Sequence, residues 1–292
     1  MMKARPRRSC LYMPGANAKA LEKAKTLPAD VLILDLEDSV APEAKADARA
    51  QVAAAVTAGG YGKREIIVRI NAFSTPWGRD DMVAAGACKP QGVLAPKVES
   101  AAEVEELDRA MDAAGFGKDA ALWVMIETPR AILDIAAIAA AARKTRLCAF
   151  VMGLNDLAKE TRAKAGVDRA PFFAAMSLAV TAARAEGIVA IDGVYNDIAN
   201  AAGFEAECRQ GLAFGFDGKT LIHPSQVEIT NVVFAPSADE VLRARAVIAA
   251  FALPENAGKG VIKVDGRMTE LLHLEEAKRV VAVSDAIEAM AQ

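Results

Sequence analysis

Short apolar runs alternate with longer alanine-rich stretches along most of the chain. Runs of four to six residues at 9–13, 31–36, 65–70, 92–95, 121–126, 147–152, 188–191 and 218–221 are bounded by turn residues and read as buried strands. Helical patterns fall between them at 16–25, 42–58, 80–85, 101–114, 129–142, 171–186 and 197–213, with a closing helix at 224–233. Eight strand–helix units in alternation predict a parallel sheet, and eight is the number that closes a (β/α)8 TIM barrel. An open doubly wound sheet is disfavoured, because the turn after the first strand, Tyr12–Asn17, holds one glycine rather than a GxGxxG loop.

The pattern places the barrel at residues 1–234 and a C-terminal helical and strand extension at 235–292. Ala235-Pro236-Ser237 punctuates the boundary, and a helix pattern follows at 239–251. After a Gly/Asn/Pro-rich linker come a strand at 261–264, the turn signal Asp265-Gly266 and a final helix to 291. So small an extension cannot hold its own core, so it is expected to pack on the barrel or on a neighbouring subunit.

Composition narrows the functional classes. Hydrophobic residues make up 53% of 292 positions, ample for a large core, and a net charge of −3 gives no global attraction to nucleic acid or an anionic membrane. No apolar run reaches membrane-spanning length, and the basic start (Lys3, Arg5, Arg7, Arg8) lacks the apolar segment of a secretory signal. That start reads as a solvated arm. Four cysteines without a CxxC pair suggest reduced thiols in a cytoplasmic protein, and two histidines exclude most histidine-based zinc sites.

Candidate chemistry gathers at strand ends. Glu127 and Asp156 each follow an apolar strand, where acids of a parallel barrel converge on one mouth. They read as a hard-metal pair, or as caps of the helix starts at Thr128-Pro129 and 157–161. Arg69 lies inside an apolar run, and its fork suits a substrate carboxylate or a structural ion pair with Glu37 or Asp38. Asp35, Glu37 and Asp38 form an acidic cluster that could join the site, orienting Arg69 or water, or merely decorate a helix start. Lys97 could bind a phosphate or carboxylate or be solvated, and Lys97 and Lys219 are the positions from which an imine-forming lysine could act. His223 reads as a loop histidine with a possible direct role, and His273 as a surface residue.

The stretches RSCLYMPGAN, LDLEDSVAPEAKADAR, VRIN, APKVES, IETPRA, GLNDLA, DGKTLIHPSQ and VDGRM, in this order, resemble the CoA-ester lyase family of the HpcH/HpaI aldolase superfamily. That family includes the citrate lyase β subunit, malyl-CoA and citramalyl-CoA lyases, and malyl-CoA thioesterases. The resemblance implies Mg²⁺ (or Mn²⁺), coenzyme A as part of the substrate, an acyl-CoA and a small α-oxo acid as partners, and a homotrimer or hexamer. It implies Glu127 and Asp156 as metal ligands and Arg69 as the group gripping the oxo acid and enolate. It also makes Asp265 a proton-transfer residue reaching a neighbouring subunit's site. The expected reaction is reversible C–C cleavage of a malyl-CoA-like thioester, giving acetyl-CoA or propionyl-CoA with glyoxylate or pyruvate. The alternatives are a (3S)-malyl-CoA thioesterase and a citrate lyase β subunit working on a carrier-bound thioester. The basic arm is a further candidate for the CoA phosphates.

Overall fold

The computed structural model describes residues 5–164, 166 and 168–291. Eight strands close into one parallel barrel: β1 (Ser9–Pro14), β2 (Val31–Asp35), β3 (Glu65–Arg69), β4 (Gly92–Ala95), β5 (Ala121–Ile126), β6 (Leu147–Met152), β7 (Val189–Asp192) and β8 (Gly218–Leu221). Each strand pairs in parallel with the next, and β8 returns to β1 through Ser9 opposite Lys219. The helices between them are α1 (Ala18–Ala24), α2 (Lys45–Ala58), α3 (Gly78–Cys88), α4 (Ala101–Ala113), α5 (Pro129–Leu133), α6 (Ile135–Ala140), α7 (Leu154–Thr161), α8 (Phe173–Glu186) and α9 (Ala201–Phe214), with α10 (Val227–Val233) after β8. The fold is an α/β TIM-like barrel, as the alternation predicts.

The strands read as unbroken apolar runs because they are buried on both faces, one inside the barrel and one under the helices. The inward set alternates along each strand: Val31 and Ile33 on β2, Ala121, Trp123 and Met125 on β5, Ala149 and Val151 on β6. Continuing that period by one step from Ile33 reaches Asp35, and from Met125 reaches Glu127. Both acids therefore cap the apolar interior at the carboxyl end of the barrel.

The amino end is sealed by the segment expected to be a solvated arm. Arg7 is 7% exposed, and its Nε and Nη2 each donate to Glu65 at 2.8 Å. Its guanidinium also stacks over the Trp123 ring, 4.9 Å from the centroid. Arg8 makes a similar fork to Asp30. Glu65 opens β3 and Asp30 precedes β2, so these arginines lie at the strand starts, away from the acids at the strand ends. This corrects the arm reading for Arg7 and Arg8 and removes them as CoA-phosphate ligands; Lys3 lies outside the described residues.

The chain divides into two compact units, Arg7–Val233 and a second that, among the described residues, comprises 234–291 with Arg5 and Pro6. In the second unit, α11 (Ala238–Phe251) carries a Ser237/Glu240 capping box, and β9 (Val261–Val264) pairs antiparallel with β10 (Arg267–Glu270). A final helix, α12 (Leu271–Ala291), packs against α11. Among the described residues no helix is long and apolar enough to cross a membrane.

Candidate active site

A cavity of ≈ 370 Å³ opens at the carboxyl end of the barrel, lined in part by Tyr12, Asp38, Arg69, Met125, Glu127 and Asp156. Asp35 lines it too, so five of the residues singled out from the sequence, Asp35, Asp38, Arg69, Glu127 and Asp156, share one site.

Arg69 ends β3 and is 7% exposed. Asp35, its register partner on β2, accepts from Nε and from Nη2 at 2.7 Å each, a bidentate fork. The remaining nitrogen, Nη1, reaches Asp38 at 3.2 Å and Met125 Sδ at 3.8 Å. Glu37 Oε2 lies 2.7 Å from Nη1 but off the line of its N–H, so this oxygen has no hydrogen-bond partner. The Tyr12 ring lies 4.6 Å from the guanidinium carbon, a cation–π contact. Burial pushes Asp35 upward, but the Arg69 charge and its hydrogen bonds outweigh that and hold the carboxyl below its ordinary range. Glu37 goes the other way: burial raises it to about 8 despite Arg69. Arg69 thus makes the structural ion pair and also lines the cavity.

Glu127 is 1% exposed. Its Oε1 accepts from the Lys97 backbone N–H at 2.8 Å, and Lys97 Nζ stands 3.6 Å away. Its Oε2 is buried without a hydrogen-bond partner. Burial raises this carboxyl to about 7, with Lys97 opposing the rise. Asp156, in the first turn of α7, meets Lys97 Nζ at 2.6 Å. Neither acid acts as a cap. Thr128 caps α5 by accepting from Ala131, and Gly153 stands at the start of α7, so both carboxylates are released to the pocket.

Gly153 matters for a second reason. A Cβ there would lie 2.4 Å from Glu127 Cβ and 2.5 Å from Oε2, so only glycine lets Glu127 occupy its place. Lys97 takes a left-handed backbone (φ 55), uncommon without glycine, and that conformation aims its N–H at Glu127.

These residues fit a hard divalent cation. The donors are carboxylate oxygens, one buried oxygen is orphaned, and a lysine ammonium already bridges the pair.

The other candidates sort clearly. Lys219 is fully buried and bonds Asp192, Glu207 and the Gly193 carbonyl, with Arg169 completing the ion-pair network. It points away from the cavity toward α9, which removes it as an imine lysine. His223 caps the 3₁₀ turn Pro224–Gln226 through Ser225, and His273 Nδ1 accepts from the Glu270 backbone. Asp265 lies in the second unit, at the β9–β10 turn. Three supporting residues are not evident from the sequence pattern. Lys45 Nζ donates to the Leu36 and Glu37 carbonyls, Asn71 to the Leu36 carbonyl and to Asp81, and Tyr12 faces Arg69. Tyr12 two residues before the end of β1, and the asparagine after Arg69, were the available hints.

Comparison with known proteins decides the family. Residues 8–224 match the model of HpcH/HpaI aldolase/citrate lyase. The chain belongs to this family. Within the HpcH/HpaI family, a (3S)-malyl-CoA thioesterase of Cereibacter sphaeroides is 46% identical over 286 residues, covering 98% of this chain and 97% of the relative. An L-malyl-CoA/beta-methylmalyl-CoA lyase of the same species is 34% identical, at the same coverage of both chains. Among solved structures, CitE of Mycobacterium tuberculosis in complex with magnesium, acetoacetate and coenzyme A is 29% identical, with a TM-score of 0.76 over 97% of this chain and 100% of that one. The protein is an enzyme of the CoA-ester lyase and thioesterase type. The expectation of C–C cleavage as its reaction is corrected, because the thioesterases are full-length relatives at clearly higher identity than the lyases. The strand-end motifs did not separate the two reactions.

Proposed function

We propose that the protein hydrolyses a malyl-type CoA thioester, as a (3S)-malyl-CoA thioesterase, with Mg²⁺ (or Mn²⁺) held by Glu127 and Asp156. The observation carrying this reading is near full-length identity to thioesterases in a chain whose barrel mouth keeps the carboxylate pair and Arg69 together. A bound divalent ion supplies positive charge that orients and polarises substrate oxygens.

Arg69, pinned on two nitrogens by Asp35, shifts its third nitrogen, Nη1, from Asp38 to the thioester oxygen and stabilises the charge that develops as water adds. Asp38, exposed at the mouth and 3.2 Å from Nη1, takes the proton of the attacking water. Collapse of the tetrahedral adduct breaks the C–S bond, and that proton passes to the departing sulfur, leaving the free acid and CoA. Lys97 binds the carboxylate at the acid end of the substrate. Asp265 remains a candidate contributor to a neighbouring subunit's site. A cytoplasmic homo-oligomer, trimer or hexamer, completes the reading.

The test incubates the protein with Mg²⁺ and (3S)-malyl-CoA, following free thiol while trapping glyoxylate as a hydrazone. Thiol release without glyoxylate is expected; glyoxylate and acetyl-CoA in place of free thiol would overturn the proposal.

A further inference from the structure

The Lys97 ammonium stands where the carboxylate pair would hold a cation. Its Nζ is 2.6 Å from Asp156 and 3.6 Å from Glu127. The left-handed backbone fixes the residue here, with its N–H on Glu127 at 2.8 Å. The side chain is a different matter: it is 31% exposed on a long flexible stem, so the ammonium can leave while the backbone bond stays. Glu127, in contrast, is almost fully buried, and a buried carboxylate without a counter-charge is costly. An ammonium at these distances and a divalent ion on the same two carboxylates cannot coexist without strong repulsion.

We propose that Lys97 is a built-in counter-cation, which satisfies Glu127 and Asp156 until a divalent ion displaces it and then turns into the cavity to meet the substrate's carboxylate. This rests on the reading of Glu127 and Asp156 as the metal-holding pair. Metal and anion are thereby coupled. The metal frees the ammonium, the anion holds it away from the acids, and each ligand tightens the other by the same factor. A solvated lysine with no part in the site would give no such coupling.

Calorimetric titration of the full chain with MgCl₂, with and without L-malate, tests this in the wild type, Lys97→Met, Lys97→Arg and Glu127→Gln. Lys97→Met is expected to bind Mg²⁺ about tenfold tighter, the modest end of what removing a nearby unit charge gives at a protein surface. Its Mg²⁺ affinity should also respond less to malate than that of the wild type, because only direct contact between malate and the ion remains. Lys97→Arg, which keeps a cation, should stay near wild type. In thermal unfolding the metal-free Lys97→Met protein should melt below wild type and show the larger rise on adding Mg²⁺. If Lys97→Met does not fold, Lys97→Gln takes its place. Mg²⁺ affinity equal to or below wild type in the folded neutral variant would overturn the proposal. Loss of Mg²⁺ binding in Glu127→Gln with no gain in Lys97→Met would sink the lysine's role alone. Undiminished binding in Glu127→Gln would remove the metal-pair reading beneath it.

Discussion

Arg69 joins a structural ion pair to a proposed chemical role in one side chain. Its fork to Asp35 neutralises an acid that is 1% exposed, and removing one member of such a pair leaves an uncompensated buried charge. Arg69→Met is therefore expected to cost about 3–5 kcal/mol of stability in urea unfolding. A loss below about 1 kcal/mol would show that Asp35 finds another partner. Arg69→Lys keeps the charge but loses the fork, so kcat/KM should fall roughly a hundredfold, the size of effect seen when one positioned oxyanion donor is lost. Glu37 gives the pH prediction. Its folded carboxyl is raised to about 8 by burial, so between an ordinary value of 4.5 and 8 the folded state holds a proton that the unfolded state releases. Metal-free stability must then fall as pH rises through that window and level off above it. Unfolding measured from pH 5 to 9 should show this decline, to which Glu127, raised to about 7, also contributes, and Glu37→Gln should lessen it, most clearly above pH 7. Arg69 and its acids were legible as charges inside apolar runs. The roles of Lys45 and Asn71 were not, because they act on backbone carbonyls brought near only by the fold.

At the scale of elements, strand ends and turns decide which side chains are free to act. Capping by Thr128 and the glycine before α7 leave Glu127 and Asp156 uncommitted, something the strand pattern alone could not decide between. Gly153→Ala would place a methyl group on Glu127, so it should weaken Mg²⁺ binding at least tenfold while circular dichroism stays unchanged. Unaltered affinity would mean that Glu127 tolerates displacement. The eight barrel strands were readable because burial on both faces leaves them apolar. β10 was not, since Arg267–Glu270 is mostly polar and becomes a strand by pairing with β9 across a two-residue turn. Asp265 and Gly266 both take positive φ there, as such a turn requires. Asp265→Asn keeps a residue that tolerates this backbone, whereas Asp265→Ala does not. If the carboxylate reaches a neighbour's site, both variants should lose activity about equally. If Asp265 only makes the turn, Asp265→Asn should retain nearly full kcat, and only the alanine variant should lose stability.

For the whole molecule, fold and reaction were legible to different degrees for a physical reason. A barrel follows from the repeated alternation of buried strands and helices, which every part of the chain repeats. In the proposed reaction the outcome at the thioester depends on where one water stands against Arg69 and the acids, and the strand-end motifs do not encode that. The second unit carries the remaining question. Its β9–β10 hairpin and α11–α12 pair expose Leu242, Met268, Leu271 and Leu272, with Met268 72% and Leu242 71% accessible in the single chain. Exposed large apolar side chains on so small a unit suit burial against another protein, and a closed assembly would bury them against further copies of the same chain. Under the proposed reading, the full chain is expected to sediment as a trimer or hexamer. Met268→Glu combined with Leu272→Glu should shift the association midpoint at least tenfold toward higher concentration, because two desolvated carboxylates would oppose each contact. Activity should fall in parallel with dissociation if Asp265 serves a neighbour, and persist in the monomer if each barrel is complete alone. A wild-type chain that sediments as a monomer at micromolar concentration would exclude the assembly itself.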